Sequence, residues 1–218
     1  MTAPAAVQQS FLASLKTCRL DPQPYRHWLL DDALPVESGE AIAALPWEAP
    51  NRAETYGKRE TNNASRSYFG VEARAQYPVC DQVAQTFQDR TVTRAIEETC
   101  GIDLTGTSLR IEFCQDSDGF WLESHTDIGV KKFTMLIYLS RDPESGTWGT
   151  DIMDEAGNVL GTAPYAFNKG LIFIPGNDTW HGFAKRPING IRKSIIVNYV
   201  GPEWRARHEL CFPDTPVA

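Results

Sequence analysis

Hydrophobic and polar positions follow two different patterns along this chain, and the change falls near residue 106. Before it, apolar side chains recur at helical spacing in three segments, at residues 5–18, 35–45 and 78–99. Apolar residues three to four positions apart indicate amphipathic helices, and Gly101 is placed to end the last of them. We therefore predict that the N-terminal part of the chain is helical.

From about residue 106, short runs rich in β-branched and aromatic residues alternate with turn clusters of Asp, Gly and Pro. The runs lie at 108–113, 120–127, 132–140, 149–154, 170–175 and 192–200. This texture is typical of an antiparallel jelly roll or barrel. Helices followed by strands favour an α+β fold in which the helices cover one face of the β-core. We predict one domain over residues 1–218, with a helical part at 1–105, a β-core at 106–200 and a C-terminal tail at 201–218.

The charge and composition argue against several classes of function. The net charge of −7 disfavours a general nucleic-acid binder, because phosphate contacts need a basic surface. No apolar run approaches the ~18 residues that span a bilayer, and no secretory signal is evident, so we expect a soluble cytoplasmic protein with no membrane partner. The five cysteines are odd in number and lack CxxC spacing, which predicts reduced, mostly buried thiols. Nothing in the sequence indicates the oligomeric state.

A candidate metal site lies at the end of one predicted strand. His125 and Asp127 are two residues apart, so on a strand their side chains point to the same face. His181 follows a later strand and a turn, where a jelly roll could bring it beside them. Two imidazoles and one carboxylate form the facial triad of non-heme iron(II) oxygenases. The pair His125 and Asp127 on its own is also expected by chance in a chain of this length.

The last predicted strand adds a candidate anion site. Arg192 and Ser194 share one face of it, and Asn198 lies on the same face. An arginine fork fits a carboxylate with two hydrogen bonds, and a serine hydroxyl can add a third. The alternative is an exposed arginine at the end of a strand with a capping serine.

The ordered set of His125-x-Asp127, His181, Arg192 and Ser194 resembles the 2-oxoglutarate/Fe(II)-dependent dioxygenase superfamily, and most closely its prolyl-4-hydroxylase-like branch. The resemblance covers about residues 109–200. It implies a double-stranded β-helix core that holds iron(II) through the three metal ligands and uses dioxygen. It also implies that 2-oxoglutarate chelates the iron through its keto acid end and meets Arg192 and Ser194 through its far carboxylate. Tyr138 stands where the family often adds a tyrosine to that carboxylate, with a core aromatic as the alternative.

Two departures from the family's pattern concern the substrate. Residues 148–150 read Trp-Gly-Thr where paired glycines are usual, and Gln115 stands where an aromatic is common. We expect both departures to lie near the mouth of the pocket, where they would bear on the substrate and not on the iron chemistry.

The resemblance implies hydroxylation of an unactivated C–H bond in a small polar substrate such as an amino acid, with release of succinate and carbon dioxide. The alternatives are a hydroxylase of a peptide or protein side chain and a non-catalytic jelly-roll module that binds a metal or ligand. A halogenase of the same fold is disfavoured because Asp127 supplies the carboxylate that such enzymes commonly lack.

The substrate contacts are a further hypothesis. The segment at 52–66 is locally basic, and we expect Arg59 or Arg66 to anchor an anionic small molecule from a loop over the metal. Trp121 and Glu123 share a strand face with His125 if no β-bulge intervenes, which would place Glu123 near a substrate amine. A solvated loop and a tryptophan packed in the core are the alternatives.

Overall fold

The computed structural model describes residues 3–49, 57–58 and 66–218. Arg59 therefore lies outside the described residues, as does most of the basic segment around it. No helix in the described ranges combines the length and the apolar character that a membrane crossing needs.

Helices make up most of the first hundred described residues, as the apolar spacing predicts. They are α1 (Ala3–Thr17), α2 (Val36–Ala43), α3 (Val71–Gln76), α4 (Pro78–Gln88) and α5 (Arg90–Cys100). The prediction of one long helix at 78–99 is wrong at a single point, because Asp89 adopts an extended conformation and caps α5 by accepting a hydrogen bond from Thr91 N at 2.8 Å. Gly101 ends α5 in the left-handed conformation, as predicted.

The strands form two antiparallel sheets. They are β1 (Arg19–Asp21), β2 (His27–Leu30), β3 (Ser67–Tyr68), β4 (Ser108–Asp116), β5 (Leu122–His125), β6 (Lys131–Tyr138), β7 (Asp151–Met153), β8 (Val159–Thr162), β9 (Gly170–Phe173), β10 (His181–Phe183) and β11 (Arg192–Val200). The larger sheet has the order β1-β2-β9-β6-β11-β4-β3, and the smaller has β5-β10-β7-β8. This arrangement is the α+β, double-stranded β-helix architecture that was expected.

Alternation along β11 explains how the two faces of the larger sheet are used. Ile195, Val197 and Tyr199 point to the helices and join one hydrophobic cluster with them. The Tyr199 hydroxyl also donates to the Phe87 carbonyl of α4 at 2.5 Å, which ties the helical layer to the sheet. The opposite face, which includes Arg192, turns toward the smaller sheet. The functional side chains therefore lie between the two sheets.

The C-terminal segment is bonded to the β-core. Cys211 N donates to the Leu109 carbonyl at 2.9 Å, and Val217 N donates to the Thr107 carbonyl at 2.8 Å. These bonds lay the segment along the start of β4.

The cysteines behave as structural thiols. All five are described and none forms a disulfide, and all except Cys18 are buried. Burial raises the pKa of Cys80, Cys100 and Cys211 to about 12, so these three are protonated at neutral pH and are poor nucleophiles.

Candidate active site

Strand pairing between β5 and β10 brings the predicted metal ligands together. His181 is paired directly with His125, and Asp127 follows His125 by two residues. Metal-binding atoms of the three side chains all lie within 4.8 Å of one another. His125 is half-buried, whereas Asp127 and His181 are buried. Within the described ranges this is the one group of His, Cys, Asp or Glu side chains arranged to hold a metal ion.

Backbone carbonyls orient both imidazoles. His125 Nδ1 lies 2.9 Å from the Glu123 carbonyl, and His181 Nδ1 lies 2.9 Å from the Thr179 carbonyl. Because a carbonyl oxygen only accepts, each Nδ1 carries the proton and each Nε2 keeps its lone pair. Burial lowers the pKa of His181 to about 3, so this ring is neutral at physiological pH. The two rings therefore present the donor atoms that a divalent metal requires.

The carboxylate of Asp127 is held at both oxygens. Lys131 Nζ donates to Oδ1 at 2.6 Å, and the Thr134 hydroxyl donates to Oδ2 at 2.8 Å. The ion pair with Lys131 is buried, with 2% of each side chain exposed. Two neutral imidazoles with one oriented carboxylate make the donor set that non-heme iron(II) sites use.

A narrow cavity runs from the metal ligands to Arg192 and Ser194. Arg192 Nη1 donates to Asp116 Oδ2 at 2.6 Å, and its Nε donates to the Trp148 carbonyl at 2.7 Å. Within the described part of the chain, the buried Ser194 hydroxyl has no hydrogen-bond partner. A buried hydroxyl without a partner is costly, so an oxygen-bearing ligand would fit here. The structure thus brings Arg192 and Ser194 into one cavity with Asp127 and His181, as the resemblance predicts.

Tyr138 lies beside this cavity but is not among the residues that line it. Its hydroxyl donates to Thr150 Oγ1 at 3.0 Å and accepts from Thr150 N at 3.3 Å. Thr150 lines the cavity, and its hydroxyl lies 3.5 Å from Arg192 Nη2. The tyrosine is therefore joined to the anion site through Thr150, and its direct contact with a cosubstrate stays a prediction.

Asn198 supports the metal site indirectly, through Thr134. Its amide nitrogen donates to Thr134 Oγ1 at 2.9 Å, and its amide oxygen accepts from Arg110 Nη1 at 3.2 Å. Because Thr134 in turn holds Asp127, Asn198 steadies a metal ligand. The expected contact between Asn198 and the cosubstrate finds no counterpart in these bonds and stays untested.

The departures from the family's pattern lie elsewhere than expected. Gln115 does not face the pocket mouth, because its amide donates to the Trp47 carbonyl on the helical side of the larger sheet. Residues 148–150 lie at the Arg192 end of the narrow cavity, where Trp148 and Thr150 contact that arginine. Both expectations about the mouth are wrong because alternation along β4 and the turn before β7 direct these side chains away from it.

A β-bulge in β5 changes the expected substrate contacts. His125 pairs with His181 but Leu122 pairs with Phe183, so β5 uses one more residue than β10 over this stretch. The shared face was expected only in the absence of a bulge, so the alternation assumed from Trp121 to His125 is interrupted. Glu123 nevertheless lines a cavity together with His125 and Asp127, whereas Trp121 does not. Trp121 lies under Lys185, whose Nζ is 4.7 Å from the ring centroid, and the exposed Glu123 serves His125 through its carbonyl.

Arg66 is described and is not a free surface group. Its guanidinium is buried, with Nη1 3.0 Å from Asp116 and Nε 3.5 Å from Glu112. Although burial by itself lowers the pKa of Arg66, the carboxylates around it raise that pKa above its ordinary value. The alternative of a solvated loop is therefore wrong for Arg66, and its role as a substrate anchor stays a prediction. Arg59 lies outside the described residues.

A second cavity, of about 340 Å³, opens on the other side of the metal ligands. Its walls include Gly57, Arg110, Lys131 and Trp204 together with His125 and Asp127. The Gly57 carbonyl accepts a hydrogen bond from Glu123 N at 2.9 Å, so the part of the loop that is described does lie over this side of the site.

Sequence reasoning missed Asp116, Lys131, Thr134 and Thr150. A signal was present for Thr134, because it shares a strand face with Tyr138. Asp116 is revealed only by its pairing with Arg192 across β4 and β11.

Comparison with known proteins finds solved structures that share this fold. No protein-family profile and no curated protein sequence matches this chain. Solved structures do match. A prolyl 4-hydroxylase from Pseudomonas putida is 15% identical with a TM-score of 0.54, over 92% of this chain and 99% of that chain. A prolyl 4-hydroxylase from Phytophthora capsici is 14% identical with a TM-score of 0.61, over 93% of this chain and 67% of that chain.

A third solved structure carries a broader description. An oxidoreductase of the 2OG-Fe(II) oxygenase family from Burkholderia pseudomallei is 15% identical with a TM-score of 0.56, over 88% of this chain and 90% of that chain. The structural neighbours of this chain are thus prolyl 4-hydroxylases and 2OG-Fe(II) oxygenases, and it shares their double-stranded β-helix fold, as its sequence resemblance predicted.

Proposed function

We propose that this chain is an iron(II)- and 2-oxoglutarate-dependent oxygenase that hydroxylates a C–H bond of a small polar substrate such as an amino acid. One observation carries the proposal. Three metal-ligand side chains converge within 4.8 Å, and two of them, Asp127 and His181, line the same cavity as Arg192 and Ser194. This pairing of a facial triad with a carboxylate site is what such a reaction needs.

His125, Asp127 and His181 would hold the iron, and Arg192 with Ser194 would hold the far carboxylate of 2-oxoglutarate. When bound, iron and 2-oxoglutarate supply the oxidation of the C–H bond by dioxygen, with succinate and carbon dioxide as co-products. The partnerless Ser194 hydroxyl and the two oriented Nε2 atoms fit these groups.

The chain's own contribution is orientation and the exclusion of water. The Glu123 and Thr179 carbonyls fix the two imidazoles, and Lys131 with Thr134 fixes the carboxylate of Asp127. Such outer contacts commonly account for a large part of metal affinity. The narrow cavity is walled in part by the apolar side chains of Leu136, Phe183 and Ile196, which reduce the room for water beside its polar groups.

The second cavity supports a small substrate. Its volume of about 340 Å³ is near the lower end of the range for ligand pockets, which begins at roughly 300 Å³. Its described cations are already paired, Arg110 with Glu112 and Glu209, and Lys131 with Asp127. A polar substrate of low net charge, such as an amino acid, suits these walls.

Hydroxylation of a residue within a peptide is a second candidate. It is favoured by the neighbours themselves, one of which is a Trichoplax adhaerens prolyl hydroxylase in complex with a peptide fragment of hypoxia inducible factor. Succinate release measured with pooled amino acids and with pooled peptides distinguishes the two substrate classes.

Anaerobic absorption spectroscopy tests the cofactor assignment. Protein mixed with iron(II) and 2-oxoglutarate should develop a weak visible charge-transfer band, and His181→Ala should abolish it. His208→Ala is the matched control, because His208 is exposed and lies outside both cavities. A folded, metal-loaded native protein without the band would refute the proposed cofactors.

A further inference from the structure

Arg66 reaches the narrow cavity from outside the predicted core. It directly precedes β3, which pairs with β4 through Ser67 and Phe113. This pairing places the arginine over the face of β4 that carries Glu112 and Asp116. Its side chain is 9% exposed and lines the same cavity as Arg192 and Ser194. Two arginines from distant parts of the sequence therefore face one enclosed space.

The two guanidinium groups share a single carboxylate. Asp116 Oδ2 accepts from Arg192 Nη1 at 2.6 Å, while Asp116 Oδ1 lies 3.0 Å from Arg66 Nη1. Glu112 contributes less to Arg66, because it is 3.5 Å from Arg66 Nε but only 2.6 Å from Arg110 Nη1. Asp116 is therefore the nearest carboxylate of both Arg66 and Arg192, and it holds the two guanidinium groups at the same end of the cavity.

Among the described residues, two buried polar atoms at this end of the cavity have no hydrogen-bond partner. Arg66 Nη1 is within ion-pair distance of Asp116 but is not aligned for a hydrogen bond, and it has no acceptor among the described residues. The Ser194 hydroxyl likewise has no hydrogen-bond partner among the described residues. Donors buried without acceptors are costly, and a carboxylate is the ligand group that would satisfy a guanidinium and a hydroxyl together.

We propose that Arg66 joins Arg192 and Ser194 in binding the distal carboxylate of 2-oxoglutarate, so that the cavity selects a 2-oxo acid that carries a second carboxylate. Asp116 is a positioning residue that holds the two guanidinium groups side by side. The inference rests on the proposed function and adds to it a residue that precedes the β-core.

A comparison of two ligands separates this role from a structural one. Isothermal titration of the manganese(II)-loaded protein gives dissociation constants for 2-oxoglutarate and for 2-oxopentanoate, which lacks the distal carboxylate. In Arg66→Met, binding of 2-oxoglutarate should weaken at least about tenfold, while binding of 2-oxopentanoate should change less than about twofold. Arg94→Met is the matched control, because Arg94 forms an exposed pair with Glu98 on α5.

Arg66→Lys provides a milder test, since it keeps the charge but loses the fork. The ratio of the two affinities should shift in the same direction by a smaller factor. The inference is overturned if the ratio is unchanged in both variants, or if both ligands weaken equally. If the native protein binds neither 2-oxo acid, the proposed function itself fails and this inference fails with it.

Discussion

Replacement of Lys131 by methionine removes the charged partner of a metal ligand and leaves the rest of that contact in place. Lys131 and Asp127 are 2.6 Å apart with 2% of each side chain exposed, while the Thr134 hydroxyl still holds the other carboxylate oxygen. Removing one partner of a buried ion pair costs about 3–5 kcal/mol. We therefore expect Lys131→Met to lower the free energy of unfolding of the metal-free protein by that amount.

A divalent metal ion should offset much of this loss, because it supplies positive charge to the same carboxylate. If the metal recovers about 2 kcal/mol, thermodynamic linkage requires the variant to bind the metal roughly thirtyfold more tightly than the native protein does. The substitution should therefore lower the stability of the metal-free protein and raise its affinity for the metal.

Urea denaturation with a chelator measures the free energy of unfolding of the metal-free protein. The same experiment with manganese(II) measures how much of the lost stability the metal restores. Lys132→Met is the control, because Lys132 is the exposed neighbour and bonds the Gly129 carbonyl, so its loss should stay within about 0.5 kcal/mol. A Lys131→Met variant that loses equal stability in both conditions would show that the ion pair is not coupled to the metal site. A loss below about 1 kcal/mol without metal would refute the cost assigned to the buried pair.

Three further predictions follow from the same site. Arg192→Ala should weaken 2-oxoglutarate binding by about 2–5 kcal/mol and leave metal affinity nearly unchanged, and equal losses in titration would contradict its separate role. Because burial lowers the pKa of His181 to about 3, the unfolded chain takes up this proton at pH 5 while the folded, chelator-treated protein does not. Native stability should therefore fall by about 2 kcal/mol more than that of His181→Gln between pH 7 and pH 5 in denaturation curves. With the carboxylate of Asp127 in place, product analysis by mass spectrometry in excess chloride should detect no chlorinated product, and Asp127→Gly should lose hydroxylation.

Long, regular elements could be predicted from the sequence, whereas short ones could not. Strands β4 and β11 run for nine residues each. The run at 192–200 predicts β11 with its bounds, and the run at 108–113 predicts β4 but ends three residues early. Strand β10 has three residues, too few to carry a period, and is defined by its partners β5 and β7. The break at Asp89 was missed although the five-residue step from Phe87 to Val92 interrupts the four-residue spacing on either side of it.

The candidate site likewise contains some residues that could be predicted from the sequence and others that could not. His125 with Asp127, and Arg192 with Ser194, are pairs two residues apart on strands, so their common faces follow from local geometry. The pairing of Asp116 with Arg192 depends on the register between β4 and β11, which no local pattern encodes. The bulge in β5 likewise depends on how β5 meets β10, which is why simple alternation from Trp121 to His125 could not be relied on.

The C-terminal segment connects the edge of the protein to the metal ligands. Glu209 accepts from Arg110 Nε at 2.6 Å, Arg110 Nη1 donates to Asn198 at 3.2 Å, and Asn198 donates to Thr134 at 2.9 Å. Thr134 then donates to Asp127 at 2.8 Å, which completes an unbroken line of four hydrogen bonds. Removal of residues 201–218 would delete no residue of any described strand and yet cut this line at its first link. The segment that the sequence presents as a tail thus supports the metal site from outside. Its loss would weaken the hydrogen bonds that orient the carboxylate of Asp127.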